Sequence, residues 1–435
     1  MSKNIELFSK RTKEEKIDWL ISNYFDGNTD AKQLLKSYWN SDEKLQKIHD
    51  EFVENTVSNF YLPLGVAPNF LINNREYTIP MVIEESSVIA AAAKAAKYWR
   101  SRGGFKTSIL GQEKIGQVHF MFSGDPKKLC DFFNLIENQF YKDTSEITRN
   151  MSARGGGINS IELVDKTAEL DHYFQLSACF NTMDSMGANF INSCLEQFAK
   201  TLVREASASE LMKEEKPLEI VMSILSNYVP NCVVKAEVRC AINDLETEEG
   251  LSKRQFAEKF VRAVEIACVE PYRAVTHNKG IMNGVDAVIL ATGNDFRAVE
   301  AGIHAYASRT GQYRSLSTAF IDGDDFCFEL KIPLAIGTVG GLTNLHPLVK
   351  WSMELLRNPN ATELMEIVVV AGLAQNFGAL RSLVTSGIQK GHMKMHLLNI
   401  LNQLKANDKE KESAKEYFKK TPVTFSSVAK FLKNA

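Results

Sequence analysis

The most constraining feature of the sequence is that its pattern changes twice along the chain. In the first part the apolar positions recur at helical spacing among many charges, and the Ala-rich run from Val88 to Arg100 predicts a helix that Gly103 and Gly104 end. The middle part instead alternates short β-like runs with helical ones, after which the long helical pattern returns. This order predicts a smaller domain inserted into a larger one.

We therefore predict an α+β fold with an inserted domain. The chain has 435 residues, a length that suits two or three domains with a cleft between them. The larger domain is predicted to contain residues 1–110 and 231–386, the smaller inserted α+β domain residues 111–230, and a C-terminal segment residues 387–435.

Composition excludes several classes of protein. Lys and Arg number 51 against 53 Asp and Glu, so the chain lacks the basic excess of a protein that coats nucleic acid or an anionic membrane. The longest apolar stretch, Ile367–Ala374, is too short for a membrane span, and the N-terminus lacks the apolar core of a signal peptide. The 7 cysteines include no Cys-x-x-Cys pair. We expect a cytoplasmic protein without a membrane span, a zinc knuckle or a disulfide framework.

The part after the inserted domain carries three local predictions. The polar stretch His277–Gly284 predicts a loop, and the apolar run Val285–Ala291 predicts a buried strand. A helix is predicted from Phe296 to Ser308, and further helix over much of Glu363–Val384.

Three polar residues are candidates for chemistry, and each has a structural alternative. Glu85 precedes a predicted helix, where the helix dipole favours an acid in any case, and Asp295 is a good N-cap. Lys279 lies among several polar side chains and two glycines. If it faces a dry cleft beside the two acids, it stays protonated and can stabilise an oxyanion or pass a proton, as carbonyl chemistry requires. A solvated loop lysine is the alternative.

His392 and His396 are spaced i, i+4 and follow Gly387, with Gly391 directly before His392. That spacing suits a metal on one helix face, but no Glu occupies the general-base position of His-Glu-x-x-His and no third ligand is evident. We therefore predict no metal site and favour a proton-transfer histidine on a segment hinged at the two glycines. An exposed helical histidine remains the alternative.

The glycine-rich stretches permit close backbone approach to a nucleotide without matching a standard motif. None is Gly-x-Gly-x-x-Gly after a strand, and no Walker A sequence is present, so a Rossmann or P-loop site is not supported. Tight turns are the alternative. The stretches are Gly155–Gly157, Met186–Asn189 and Gly337–Gly341.

Taken together, these motifs resemble those of the class II, bacterial-type branch of the 3-hydroxy-3-methylglutaryl-coenzyme A (HMG-CoA) reductase family. The resemblance covers nearly the whole chain in the same order, with Glu270 standing where the family is expected to have aspartate. The matching segments are Pro80–Ser87, Asp184–Asn189, Glu270–Gly280, Asn283–Asp286, Ala291–Asp295, Gly337–Gly341 and Gly387–Met393.

The resemblance implies roles for individual residues. It implies a catalytic set of Glu85, Lys279, Asp295 and His392, and a substrate-binding set of Ser87, Arg273 and Asn283, with Arg273 suited to the free carboxylate of the substrate. It implies cofactor binding by Asp184, Met186, Gly187, Ala188, Asn189 and Asn227. The position where NADH-preferring relatives carry an acid falls near Thr148, beside Arg149, so a 2′-phosphate is tolerated and NADPH is favoured over NADH.

The resemblance also implies a fold and a reaction. The large domain has a central helix, the inserted domain binds the nucleotide without a Rossmann fold, and a mobile C-terminal helical flap carries His392. Members are homodimers or dimer-based oligomers with the site at the interface. The reaction reduces HMG-CoA to mevalonate and coenzyme A with two NAD(P)H, without metal, in isoprenoid biosynthesis. The alternatives are mevalonate degradation with NAD, a thioesterase, or a catalytically inactive acyl-CoA sensor.

Overall fold

The structure, a computed structural model, describes residues 5–247, 250–385, 397–418 and 421–434. The helices are α1 (Lys13–Tyr24), α2 (Thr29–Ser37), α3 (Glu43–Phe52), α4 (Val88–Arg100), α5 (Pro126–Asp143), α6 (Ser145–Ser152), α7 (Ala188–Ala208), α8 (Lys253–Val269), α9 (Pro271–Ala291), α10 (Phe296–Ala307), α11 (Pro347–Leu355), α12 (Ala361–Val384), α13 (described over 397–403), α14 (Asp408–Tyr417) and α15 (Phe425–Asn434). The strands are β1 (Leu64–Ile72), β2 (Arg75–Val82), β3 (Lys106–Ile109), β4 (Lys114–Met121), β5 (Gly157–Asp165), β6 (Tyr173–Asn181), β7 (Glu219–Leu225), β8 (Val233–Ala241), β9 (Ser317–Asp322) and β10 (Asp325–Pro333).

The larger core surrounds α9 and α12. These helices pack against each other, and α12 also contacts α4 and β8. The four-stranded sheet of this core has the order β3-β8-β10-β9, with neighbouring strands antiparallel. Helix α12 is long and apolar enough to cross a membrane by length and composition alone, but 67% of that window is buried in the protein. It is the central helix of a core, as the resemblance implied.

Helix α9 corrects two predictions. His277–Gly284 is not a loop and Val285–Ala291 is not a strand, because both belong to the single helix Pro271–Ala291. A helix buried on most sides loses the amphipathic pattern, so its apolar run resembles a buried strand. Gly284 allows the close crossing with α12, since a Cβ atom there would lie 2.4 Å from the carbonyl oxygen of Ala371.

Helix α4 confirms the prediction made for Val88–Arg100, and Gly103 and Gly104 end it in the left-handed region at φ 92° and 73°. Ser87 is the N-cap residue of this helix, but it makes no side-chain capping bond. The Ser87 hydroxyl instead donates to Glu85 Oε1 at 3.4 Å. The serine side chain is therefore directed to the acid and not to the helix.

The smaller core lies within the predicted inserted domain. The sheet β5-β6-β4-β7 is antiparallel throughout, and its inner face packs with α5 and α7 around a cluster rich in phenylalanine. The chain leaves the larger core after β3 and returns at β8, and these two strands pair with each other. Just beyond them, Gly111 and Val233 exchange backbone hydrogen bonds of 3.3 and 3.0 Å. The two connections to the smaller core are thus held side by side.

A third, small apolar cluster joins α13, α14 and α15. The predicted hinge at Gly387 and Gly391, the histidine His392 and its neighbour His396 lie outside the described residues.

Candidate active site

An acid and an amine meet between α4 and α9. Glu85 lies in the bend between β2 and α4, and its Oε2 atom is 2.9 Å from Lys279 Nζ. Asn283, one helical turn after Lys279, donates from Nδ2 to the same oxygen at 3.3 Å. With Ser87 on the other carboxylate oxygen, these four residues form what we call the Glu85 cluster.

The Glu85 cluster is open to solvent. The side chains of Lys279 and Glu85 are 62% and 34% exposed. An ion pair at that exposure contributes at most about 1 kcal/mol to stability, so it is not needed to hold the fold. An exposed acid, amine and amide placed within hydrogen-bond distance of one another are equipped to bind a polar substrate and to move protons.

Asp295 combines a structural role with a place in a cleft. It is the N-cap of α10, where Oδ1 accepts hydrogen bonds from the backbone N–H groups of Arg297 and Ala298 at 3.1 and 3.2 Å. The N-capping role that the sequence offered as the alternative for Asp295 is therefore confirmed. Within the described ranges no hydrogen bond or ion pair joins Asp295 to Lys279. Asp295 instead lines the cleft between the two cores.

That cleft measures about 730 Å³ and joins parts of both cores. The smaller core contributes the turn before α7 and the first turn of α7, including Met186, Gly187, Ala188 and Asn189. The larger core contributes the Asp295 loop and the glycine-rich loop at 337–341. Gly187, at φ 88°, makes no side-chain cap, so the first N–H groups of α7 are open to an anion such as a pyrophosphate.

Asp184 holds this turn in place. Its Oδ1 atom accepts the backbone N–H of Ala361 at 2.8 Å, at the start of α12. Its carbonyl oxygen accepts the N–H groups of Thr338 and Val339 at 2.8 and 3.3 Å. The structure therefore shows Asp184 joining the turn to the larger core, with one carboxylate oxygen already bonded.

The remaining cofactor candidates fall into two places. Asn227 lines a cavity of about 20 Å³ together with Met186, beside the cleft. Thr148 and Arg149 lie on α6, where Thr148 donates to the carbonyl of Ser145 at 3.2 Å and Arg149 pairs with Glu146 at 2.9 Å. The cation of this helix region that lines the cleft is Arg154.

Arg273 is separated from the Glu85 cluster around α9. It precedes Lys279 by six residues, which turns its side chain about 120° away on a regular helix. Its guanidinium is half-buried, and burial lowers its pKa. No partner for this guanidinium occurs among the residues that the structure describes. Beside it, His277 is buried with its pKa lowered to about 3 by burial and by Arg273, and it contacts Ser317 Oγ at 2.6 Å.

A basic groove on α4 was not predicted. Lys94, Lys97 and Arg381 of α12 line it, around a space of about 790 Å³, together with the ion pairs Arg102–Glu246 and Arg100–Glu76. The guanidinium groups of Arg102 and Arg381 lie over the ring of Tyr98 at 3.9 and 4.6 Å from its centroid. The i, i+3 spacing of the two lysines was the available signal, but the arginines come from distant parts of the chain.

A nicotinamide dinucleotide suits the donor set of the cleft. Uncapped N–H groups at the start of a long helix can donate hydrogen bonds to a pyrophosphate, and the neighbouring glycine-rich loop leaves room for its backbone to approach the nucleotide. In the described part of the chain, no group of three or more His, Cys, Asp or Glu side chains is placed to hold a metal ion.

Comparison with known proteins identifies the family. The family model described as hydroxymethylglutaryl-coenzyme A reductase matches residues 14–397. The 3-hydroxy-3-methylglutaryl-coenzyme A reductase of Archaeoglobus fulgidus is 36% identical over 354 residues, which cover 81% of this chain and 77% of that protein.

Solved structures agree with this match. The 3-hydroxy-3-methylglutaryl-coenzyme A reductase of Streptococcus pneumoniae superposes with a TM-score of 0.73 at 34% identity, covering 100% of both chains. The class II enzyme of the same organism, solved bound to NADPH in open conformations, superposes with a TM-score of 0.72 at 35% identity, covering 88% of this chain and 100% of that one. The chain belongs to the hydroxymethylglutaryl-coenzyme A reductase family.

Proposed function

We propose that this protein reduces HMG-CoA to mevalonate and coenzyme A with two equivalents of a nicotinamide cofactor. The observation that carries the proposal is the Glu85 cluster, in which Lys279 and Asn283 share one oxygen of Glu85. When bound, the reduced nicotinamide supplies the hydride. The protein must then stabilise the oxygen of the carbonyl that receives it and supply the protons.

Lys279 is suited to stabilise that oxygen. Its ammonium has three N–H donors, of which Glu85 takes one in the structure. Among the described residues the remaining donors have no partner, so they are available to a carbonyl oxygen as negative charge develops on it. Glu85 Oε2 lies 2.9 Å from Lys279 Nζ, close enough to exchange a proton with the amine, and the same carboxylate can serve the product alcohol.

Asp295 and His392 complete the proposed catalytic set. Asp295 lines the cleft that holds the nucleotide candidates, where its carboxylate can take part in proton transfer. His392 protonates the thiolate of coenzyme A as it leaves, a step that occurs only in the reduction of the thioester.

The two ends of HMG-CoA are recognised by different groups of residues. Ser87 and Asn283 hold the hydroxymethylglutaryl part at the Glu85 cluster. The guanidinium of Arg273, which has no partner among the described residues, binds the free carboxylate of HMG-CoA. Because Arg273 faces away from the Glu85 cluster, it serves the site of the other protomer in a homodimer. The basic groove lies about 15 Å along α4 from Ser87 and suits the phosphates of coenzyme A.

NADPH is the proposed cofactor, bound by Asp184, Met186, Gly187, Ala188, Asn189 and Asn227. No acid stands at position 148, Glu146 is paired with Arg149 at 2.9 Å, and Arg154 lines the cleft, so a 2′-phosphate can pair with a cation there. The ratio of kcat/KM for NADPH to that for NADH tests this. We expect Thr148→Asp to lower the ratio about tenfold or more, because the new carboxylate repels the phosphate and accepts from a ribose hydroxyl. A wild type that strongly prefers NADH would contradict the proposal.

The organisation of the protein is proposed with the function. Residues 111–230 form the cofactor domain, residues 1–110 and 231–386 the substrate domain, and residues 387–435 a C-terminal flap that carries His392. The protein acts as a cytoplasmic homodimer, or as a larger assembly of such dimers, without nucleic acid or membrane. Gel filtration with light scattering tests the dimer.

One spectrophotometric assay separates the candidate functions. HMG-CoA is added to purified protein with NADPH or NADH, and cofactor absorbance and released thiol are followed together. We expect two equivalents of cofactor oxidised for each coenzyme A released. Thiol release without cofactor oxidation would indicate a thioesterase, and neither signal in a folded dimer would indicate a sensor. The degradative direction is tested by measuring the rate of the reverse reaction, started with mevalonate, coenzyme A and NAD or NADP, and comparing it with the rate of HMG-CoA reduction.

A further inference from the structure

Lys114 is a buried cation in a strand position that faces a core. In β4 every second residue is buried, and Lys114 shares that face with Gly116, Val118 and Phe120. Only 5% of its surface is exposed, and burial lowers the pKa of its amine to about 8. A lysine is among the residue types least often buried without a carboxylate partner. In the part of the chain that is described, no acidic side chain lies within ion-pair distance of Nζ.

The bonds of this amine go to a single turn. Nζ donates to the hydroxyl of Thr182 and, at 2.6 Å, to the carbonyl oxygen of Ser185. The Thr182 hydroxyl in turn donates to the same carbonyl at 2.6 Å. An ammonium has a third donor, and Lys114 also lines the cavity of about 20 Å³ that contains Met186 and Asn227. That cavity has room for about one water molecule.

The turn from 182 to 187 leads directly into the stretch that lines the cleft. Met183 and Gly187 are both in the left-handed region, at φ 49° and 88°, so the turn is sharply bent at two places. Ser185 forms an isolated bridge with Val339 of the glycine-rich loop. With Asp184 bonded to the backbone of the same loop, the position of the turn sets the width of the cleft on this side.

We propose that Lys114 is a positioning residue for the nicotinamide cofactor, acting through the bonds by which its buried ammonium holds the turn 182–187. This inference rests on the proposed function, because the turn is a cofactor site only if the protein binds a nicotinamide dinucleotide. The bonds to Thr182 and Ser185 place Met186 and the open N–H groups of α7 where the nucleotide meets them. Loss of the ammonium releases the turn while the core of the smaller sheet remains packed.

The test compares Lys114→Met with Val118→Ala. Methionine keeps the length and apolar stem of the side chain but cannot donate. Val118, fully buried on the same strand face, makes no bond to the turn, so its variant measures loss of core stability alone. For Lys114→Met we expect the KM for NADPH and its Kd from fluorescence titration to rise about tenfold, with the KM for HMG-CoA changed less than twofold. For Val118→Ala we expect a lower Tm and an unchanged KM for NADPH.

The pH dependence gives a readout that a packing role would not affect. The charged and titratable groups facing Lys114 are Asp184 on the turn and Cys232 before β8, and burial raises the pKa of that thiol to about 11. In wild type the Kd for NADPH should therefore rise above about pH 8, where Lys114 loses its charge. In Lys114→Met it should be high and flat over the same range.

The outcomes separate the two proposals. A wild type that neither binds nor oxidises NADPH or NADH refutes the proposed function and the role of Lys114 with it. An active wild type whose Lys114→Met variant binds NADPH equally well refutes only the role of Lys114. The role of Lys114 is also refuted if Lys114→Met raises the KM for NADPH and the KM for HMG-CoA by similar factors and lowers Tm as much as Val118→Ala does. Lys114 would then be a structural residue.

Discussion

Replacing Lys279 by methionine separates the contribution of its charge to catalysis from its contribution to stability. Among the described residues Lys279 makes one ion pair, to Glu85 at 2.9 Å, and its side chain is 62% exposed. Methionine keeps most of the alkyl stem of lysine and has a similarly high helix propensity at a position in the middle of α9. The perturbation therefore removes the ammonium and little else.

The expected magnitudes differ strongly between the two properties. An exposed ion pair contributes at most about 1 kcal/mol, so the Tm of the variant should fall by no more than a few degrees. Removing one donor from a developing oxyanion costs about 2.7 to 4 kcal/mol in the transition state, which is a loss of about 10² to 10³ in kcat. Both reductive steps need that donor, so the reduction of added mevaldehyde should fall by a similar factor.

The assay is cofactor oxidation with HMG-CoA and, separately, with mevaldehyde, alongside thermal unfolding of each protein. Lys259→Met is the matched control, because Lys259 is an exposed lysine on α8, and its variant should keep wild-type rates. A Lys279→Met variant that retains more than a tenth of the wild-type kcat would refute the oxyanion role. A fall in Tm large enough to explain the lost activity would refute the separation of charge from stability.

Three further changes test other parts of the structure. His392→Gln should slow reduction of HMG-CoA at least tenfold more than reduction of mevaldehyde, because only the thioester step expels a thiolate; equal losses would contradict that role. Burial and Glu300 raise the pKa of the Asp286 carboxyl to about 8, so the folded state holds this proton more tightly than the unfolded chain and stability falls as pH rises from about 4 to 8. Asp286→Asn should flatten this dependence of Tm on pH and stabilise the protein by about 1 to 3 kcal/mol at pH 8, whereas an unchanged slope would refute the assignment. Gly284→Ala should cost about 1 to 3 kcal/mol and reduce activity, because its Cβ would lie 2.4 Å from the Ala371 carbonyl oxygen; Gly280→Ala on the same helix meets no atom within 4 Å and should be neutral or stabilising in the same unfolding assay.

The sequence correctly predicted the elements that depend on neighbouring residues alone, through helix propensity, terminating glycines and N-caps. Helix α4 was placed correctly because an Ala-rich run is bounded by two glycines that adopt positive φ. The N-cap at Asp295 was placed correctly because a carboxylate before a helix accepts the first N–H groups. The predicted α+β class is confirmed by the two mixed cores and by the superposition on known reductases.

Helix α9 shows where local signals fail. The helix is surrounded by α12, by α8 and by strand β2, so burial on several sides removed the helical periodicity. The loop prediction for its first half failed because glycines and polar residues were taken as turn residues. Gly284 is instead required by the crossing with α12, a contact 87 residues away in sequence that no local pattern encodes.

The candidate site was only partly predicted. Sequence motifs identify the residues of a site but not the distances between them. The family resemblance, confirmed by the matches, selected Glu85, Lys279 and Asn283, which the structure brings together. It did not indicate that Arg273 faces another side of α9. Lys114 carried no signal at all, since a lysine at the start of a strand is normally an exposed residue.

The position of the cleft between two cores has a consequence for how this protein must work. The open end of α7 belongs to the smaller core, whereas Lys279 belongs to the larger one. Among the contacts that hold these parts together in the described residues are the paired strands β3 and β8, and the bonds of Asp184 to the loop at 337–341 and to α12. A hydride can pass only if both hold, because transfer requires the reacting atoms within about 3.5 Å. Changes at the strand pairing should therefore lower kcat more than they weaken the binding of either substrate alone, whereas changes at Asp184 should also weaken the binding of NADPH.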